Sequence, residues 1–334
     1  MEIRKIQKTG VSTMTVSLPK GWVQEQGLKQ GDPIELEVLT DGSLSLKSAS
    51  AEKDEPIKKV IHVDDVRQGE HLMRKLIAAY LAGYGIIEVR SKERFDYELK
   101  KVVKDFSRLA IGPEVIEETG NSLMLHDLSD PGELPQKKCV RRMHLLVKSM
   151  HTDAMDSLQV DGDSLSRDVI DRDLDVDRLY LMVAKQYNMI LKDRKVSERI
   201  GVDVFEGVNL MLAARLIERI GDHAEKIAHL AAEAREDQLD PETIKELNDL
   251  SRKALHILDE AVDSLFKRDI EEANSVIDQG SKLVEECEEK RPGQSTEGYS
   301  GVLQNSILDS ILRTVMYSMD IGETTINVAI REKG

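Results

Sequence analysis

From residue 137 almost to its end the chain is written in helical periodicity, and that run restricts the fold more than any other feature. Apolar residues return every three or four positions, the spacing that gathers them on one face of an α-helix. Breaks fall only near 159–164, 193–198, 234–240, Arg268 and 291–299. Long amphipathic helices bury their stripes by packing on one another. Composition agrees: aromatic residues make up 4% of the 334, with one Trp and four Phe, which suits helical bundles better than β-sandwiches. A weak internal repeat with a period of about 100 residues runs through this part. Ile220-Gly221-Asp222 followed by Ile227-Ala228 can be laid on Ile321-Gly322-Glu323 followed by Val328-Ala329. The repeat predicts two three-helix bundles, over 137–232 and 241–331. A chance coincidence of Ile-Gly-acid is the competing explanation.

Ahead of the helices the rhythm changes twice. Residues 1–47 read as short strands and turns. Strands are expected over 2–9, 13–18, 34–39 and 43–47, a short helix over 20–26 ending at Gly27, and a hairpin turn at Asp41-Gly42. Residues 48–56 are small, charged and Pro-ended, as a linker would be. Over 57–127 strands and helices alternate: strands at 57–63 and 85–90, helices at 66–82 and 95–109, and a closing strand pair at 112–118 and 122–126. This predicts a small α/β domain. It has no Gly-rich phosphate loop and no catalytic signature, so no chemistry is assigned to it.

The net charge is −15, yet the first fifty residues carry six basic and six acidic side chains, so the acidity lies downstream. Such a body disfavours non-specific nucleic-acid binding and leaves that role to the neutral head. The two cysteines, Cys139 and Cys287, are too far apart in sequence for a zinc spacing or disulfide framework. Lys137, Lys138, Arg141 and Arg142 near Cys139 would lower its pKa; an inert thiol is the alternative. The charged opening, with no run of about 18 apolar residues, predicts a cytoplasmic protein without membrane insertion.

Two acidic pairs have i,i+4 spacing, which stacks carboxylates on one helix face. Asp173 and Asp177 fall in a stripe read as Ile170, Asp173, Asp177, Tyr180, Ala184, Tyr187 and Leu191. Unpaired charge buried there is costly, so a wet bundle mouth, a cation or an Arg must compensate. The other option is that the helix starts later and leaves both aspartates in a solvated first turn. Glu218 and Asp222 lie off the seam Ala213, Ile217, Ile220, Ala224, Ile227 and Ala231, near Arg215 and His229. They read either as an exposed face with Arg–Glu pairs or as a surface site for a hard or divalent cation. His-Glu-x-x-His, Glu-x-x-His and a nucleophile motif are absent.

The run Ala214-Arg-Leu-Ile-Glu-Arg-Ile-Gly-Asp-His-Ala-Glu-Lys-Ile-Ala228 resembles the hallmark helix of the PhoU family. Val169-Ile-Asp-Arg-Asp-Leu-Asp-Val-Asp177 resembles the family's Asp-rich helix. The resemblance, to the archaeal type of PhoU protein, implies two three-helix bundles and a non-enzymatic regulator of phosphate uptake and homeostasis. Its partners would be components of the phosphate ABC transporter and its signalling machinery. It also implies a divalent or transition metal (iron, zinc, manganese or magnesium) held by Asp173, Asp177, Glu218 and Asp222. In the second copy Met319 stands where Glu218 would, and only Glu323 matches, marking a weak second site. Laying Val276-Ile277-Asp278 on Val169-Ile170-Asp171 puts Gly280 and Val284 at the aspartate positions, so the second bundle reads as degenerate.

The head, through Arg4-Lys-Ile-Gln-Lys-Thr-Gly-Val-Ser-Thr-Met-Thr-Val-Ser-Leu-Pro-Lys20 and Gly27-Leu-Lys-Gln-Gly-Asp32, resembles the AbrB/SpoVT swapped-hairpin fold. That resemblance implies an intertwined homodimer, or a higher oligomer, presenting Arg4, Lys5, Lys8 and Lys20 to promoter DNA. Dimerisation without DNA binding is the other option. Two further readings of the whole chain remain. One is a plain transcription factor whose bundles serve only as an oligomerisation scaffold. The other is a metal-dependent hydrolase, disfavoured because no His ligands or nucleophile accompany the acids.

Overall fold

The structure, a computed structural model, describes residues 2–38, 42–48, 56–63, 69–159, 163–234, 239–291 and 299–332. Most of the expected linker over 48–56, Asp41 of the expected hairpin turn, and parts of the helix breaks at 159–164, 234–240 and 291–299 lie outside the described residues. The chain forms two compact units, Met1–Pro56 and Ile57–Gly334.

In the first unit β1 (Gln7–Thr9) pairs antiparallel with β2 (Thr13–Thr15), and β3 (Ile34–Val38) pairs antiparallel with β4 (Leu44–Ser48). Between them α1 (Lys20–Glu25) ends where Gly27 takes the left-handed conformation, φ 63°, that glycine tolerates without strain. The first two strands are shorter than expected, since pairing stops at Gln7 and Thr15. No apolar side chain among the described residues of this unit is fully buried. Ile3, Ile6, Val11, Met14, Val16, Leu36, Val38 and Leu44 are all exposed. Strands that alternate apolar and polar residues but bury neither face have no core of their own.

The second unit opens with β5 (Lys58–His62), α2 (Gly69–Leu81), β6 (Ile86–Arg90), α3 (Tyr97–Leu109), β7 (Pro113–Glu118) and β8 (Ser122–Asp127). The sheet order is β5-β6-β8-β7, with β5 and β6 parallel and the remaining neighbours antiparallel. The parallel pair is joined through α2, as a crossover requires. Leu76, Tyr80, Val103 and Phe106 of the two helices pack on Ile87, Val89, Leu123 and Leu125 of the sheet. Leu181 belongs to this core although it lies far downstream in a bundle helix.

Seven helices follow: α4 (Gln136–Asp156), α5 (Asp163–Lys192), α6 (Arg194–Ile200), α7 (Val204–Glu233), α8 (Pro241–Lys267), α9 (Ile270–Glu289) and α10 (Tyr299–Glu332). The break expected near 193–198 is occupied by the short α6, started by the Asp193 cap and ended by left-handed Gly201. α4, α5 and α7 pack as one bundle, and α8, α9 and α10 as another. α7 against α10 and α4 against α8 join them through one continuous apolar core. Helix starts are fixed by aspartates: Asp203, Asp240 and Asp269 each accept from backbone N–H groups of the following turn.

In α5 the buried stripe is not the one expected. Val169, Val176, Leu179, Val183 and Ile190 are buried, whereas Leu191 is exposed and Ile170 and Tyr180 only half-buried. The seam lies one position N-terminal because α5 faces two layers. Residues 181–186 are all buried, since α2 and α3 cover the side of α5 that the bundle leaves open. Lys185 therefore lies inside, bound to Asp127 at the end of β8 and to Ser129 Oγ (3.1 Å), with its ammonium over the Tyr80 ring (4.6 Å). Cys139 is buried in the same unit, and burial pushes its thiol up to about 12 despite Arg142. Of the two readings of Cys139, the inert thiol is the one that burial supports.

Candidate functional site

α7 is built for close approach. Ala213, Ala214, Ile217, Ile220, Gly221, Ala224, Ile227 and Ala228 face inward, and the small members let neighbouring helices come near. A Cβ on Gly221 would lie 3.3 Å from Val147 Cγ2, 3.5 Å from Asp173 Oδ1 and 3.6 Å from Val176 Cγ1. Asp173 is therefore wedged against the backbone of α7. Because α5 begins at Asp163, Asp173 and Asp177 sit several turns inside it; the solvated first turn is ruled out.

The four acids chosen from sequence meet on one patch between α5 and α7. Glu218 was expected off the seam on an exposed face. Instead it is buried, 8% exposed, because the seam of α7 is wide at this level. Asp173 and Asp177 are half-buried, and Asp222 is exposed. Burial raises Asp173 to about 7, helped by the negative field of Glu225, Asp177, Asp222 and Glu218. Glu218 is likewise pushed to about 7 by burial and Asp222, against the pull of Arg215. Asp177 and Asp222 are also raised, first by burial. Glu225 was not singled out from the sequence. It continues the spacing of Glu218 and Asp222 by one further turn, and that i,i+4,i+7 pattern was the available signal.

Two oxygens in this patch, Asp173 Oδ1 and Glu218 Oε2, are buried without a hydrogen-bond partner. Among the described residues the partner of Glu218 is Arg215, whose Nη1 donates to Oε1 at 2.8 Å while its guanidinium lies over Tyr180. Orphaned carboxylate oxygens grouped with further acids are a donor set suited to a hard or borderline divalent ion. As they stand, no three carboxylates among the described residues converge on one point.

The second bundle lacks this patch. Gly322, the counterpart of Gly221, meets Ala273, Val276 and Ile277 where Gly221 meets Asp173 and Val176. By that contact, the stretch standing for Asp173 lies N-terminal to Gly280 and Val284, the positions given by the Val-Ile-Asp match. Met319, in the place of Glu218, lies directly over Gly280 and leaves it no room for a side chain. Apolar packing has replaced the carboxylates. Glu323 remains, exposed, next to Asp320, whose carboxyl is raised by burial and by Glu323.

In the first unit Arg4, Lys5, Lys8 and Lys20 are all exposed. Arg4 is engaged locally, donating to Glu2 Oε2 (2.6 Å) and Ser17 Oγ (2.9 Å). Lys8 lies on β1 and Lys20 opens α1.

Residues 140–231, which contain the whole acidic patch, match the PhoU domain family. Residues 7–54 match a second family, the antidote-toxin recognition MazE, bacterial antitoxin. A Thermotoga maritima protein, phosphate-specific transport system accessory protein PhoU homolog 1, is 26% identical over 162 residues. The match covers 44% of this chain, and the chain spans 65% of that relative's length. PhoU from Pseudomonas aeruginosa has 18% identity and a TM-score of 0.49, over 59% of this chain and 96% of that one. The phosphate transport system regulatory protein PhoU from Streptococcus pneumoniae has 18% identity and a TM-score of 0.45, over 58% of this chain and 92% of that one.

Proposed function

We propose that this chain, which carries a PhoU domain and, ahead of it, a MazE/AbrB-like domain, is a non-enzymatic regulator of phosphate uptake. The observation that supports this most is the family match over 140–231. The bundles act by contact with components of the phosphate transporter, and the head joins two copies. The exposed apolar rows of the head support that pairing, since a second copy is what would cover them. Among the described residues no helix is long and apolar enough to cross a membrane, so contact with a transporter would be made at its surface.

In cells lacking the protein, phosphate uptake is expected to stay high when phosphate is plentiful, and a transporter component should co-purify with the intact chain. The plain transcription-factor reading is favoured by the antitoxin-type head. Unchanged uptake together with promoter binding that weakens steeply with salt would establish that reading instead. Each phosphate contact made by Arg4, Lys5, Lys8 or Lys20 then adds about 0.9 to the salt slope.

Within the first reading a divalent or transition metal is held by Asp173, Asp177, Glu218 and Asp222, with Glu225 beside them. The orphaned oxygens of Asp173 and Glu218 support it. Bound there, the ion would neutralise the acidic patch and join α5 to α7. Elemental analysis of purified protein is expected to find metal that is lost in the Asp173→Ala/Glu218→Ala variant. Equal content in both proteins, or none after reloading, would remove the metal and leave a protonated acidic face.

A further inference from the structure

We infer that Arg215 is the built-in counter-ion of the acidic patch: it holds Glu218 while no metal is bound, and it is turned out to solvent when a divalent ion binds. The inference rests on the metal reading above and gives a task to a residue outside the four acids. Arg215 and Glu218 lie one turn apart on α7, and Arg215 Nη1 donates to Glu218 Oε1 at 2.8 Å. The same guanidinium lies over the ring of Tyr180, on α5, at 5.2 Å. It therefore spans the two helices that supply the acids. Asp173 packs against Gly221 and Tyr187 against Gly207, so α5 and α7 run antiparallel and Arg215 with Tyr180 closes one end of the patch. From there its charge is felt by Asp177, Glu218 and Asp222 alike.

The contact is built to be given up. Glu218 is 8% exposed, with Oε2 buried and unpartnered, whereas the Arg215 side chain is 45% exposed. The carboxylate is fixed and half-satisfied. The cation stands at the surface, where an ion pair contributes little and a long side chain can rotate into water. A divalent ion drawn by Oε2 and the neighbouring aspartates would share one small anion with the guanidinium. Like charges so placed repel, and burial weakens the screening between them. The exposed Arg215, not the buried ligand, is the part free to move. Arg219 makes the contrast. It lies one turn further along α7, but it bonds to Tyr317 of α10, with its guanidinium 5.9 Å from that ring, on the flank that faces α10. Loading the patch thus changes its surface twice, by removing negative charge and by freeing Arg215. That gives a partner protein two differences to read.

The test is calorimetric titration of the full-length protein with zinc, whose diamagnetism also permits NMR. Arg215→Gln should bind zinc about tenfold or more tightly than the wild type, because the competing charge is gone. Arg219→Gln should stay within about threefold of the wild type, because its charge is held on the other flank. A gain in affinity cannot come from a damaged fold, which would weaken binding. In the wild type, nitrogen relaxation of the Arg215 Nε–H should report an ordered side chain in metal-free protein and a mobile one after zinc is added. Equal zinc affinity in wild type and Arg215→Gln, or a weaker variant, would overturn the inference and leave the metal reading standing. An Arg219→Gln gain as large as that of Arg215→Gln would reduce the effect to net charge and overturn it too. So would an Arg215 Nε–H that is mobile before zinc is added or still ordered after it. Zinc taken up by none of the proteins would remove the metal reading and this inference together.

Discussion

Replacing Lys185 with alanine is expected to destabilise the Ile57–Gly334 unit by about 3–5 kcal/mol, the range seen when one partner of a buried ion pair is removed. Lys185 and Asp127 are 3% and 10% exposed, so little water is available to Asp127 once the ammonium is gone. Ser129 would still donate to Asp127 Oδ1 from its backbone N–H (3.0 Å) and its hydroxyl (2.6 Å), but no charge would balance the carboxylate. Burial lowers the Lys185 pKa even though Asp127 pulls it up, so desolvation outweighs the attraction within the pair. The pair is for that reason a poor source of net stability and a strong source of specificity. A Lys185→Met/Asp127→Leu double variant should lose far less than either single change. Urea unfolding of the wild type, both single variants and the double variant gives the coupling directly. If the two single losses simply add, the pair does not fasten β8 to α5.

In metal-free protein the acidic patch is expected to subtract stability as pH rises from about 4 to about 7, a trend opposite to that of salt-bridged carboxylates and of the buried imidazoles His151 and His223, which burial holds near 4. Asp173 and Glu218 stand near 7 in the folded chain, against ordinary values of 3.8 and 4.5. Between those limits the folded state holds protons that the unfolded state has released. Its advantage is complete below the ordinary values, is lost as pH rises through 7, and is constant thereafter. Asp173 is only half-buried, and Arg215 relieves Glu218, so the combined loss is about 1–3 kcal/mol. Asp173→Asn/Glu218→Gln should remove this contribution and make the chelated protein more stable than wild type at pH 8. Urea midpoints at pH 5 and pH 8 check it as the difference between variant and wild type; a difference that stays constant between the two would show that the patch is not strained by its own charge. Added divalent metal should restore the wild type at pH 8 and leave the variant unchanged.

Periodicity carried the elements well. The helix expected over 95–109 is α3, Tyr97–Leu109, and the strand expected over 85–90 is β6, Ile86–Arg90. Both are bounded by local chemistry, the Asp96 cap and the left-handed Gly83, which acts over a few residues and is visible in sequence. The acidic patch was legible in part. Asp173, Asp177, Glu218 and Asp222 announce themselves by spacing, but whether such a pair faces water depends on what packs beside it. Glu218 was therefore misread as exposed, and Glu225 was passed over.

By itself the sequence determined where helices and strands run, that the tail folds as bundles, and which acids share a helix face. These follow from the fixed repeats of 3.6 and 2 residues and from caps and turns, which need only near neighbours. The tertiary structure alone decided that α5 is covered on two sides, shifting its seam and enclosing Lys185 with Asp127. It also brought Lys137, Glu206 and Arg268 into one cleft. Such juxtapositions come from packing between segments far apart in the chain, where each helix has several faces to offer. Which face is used depends on the shape and charge of all its neighbours at once.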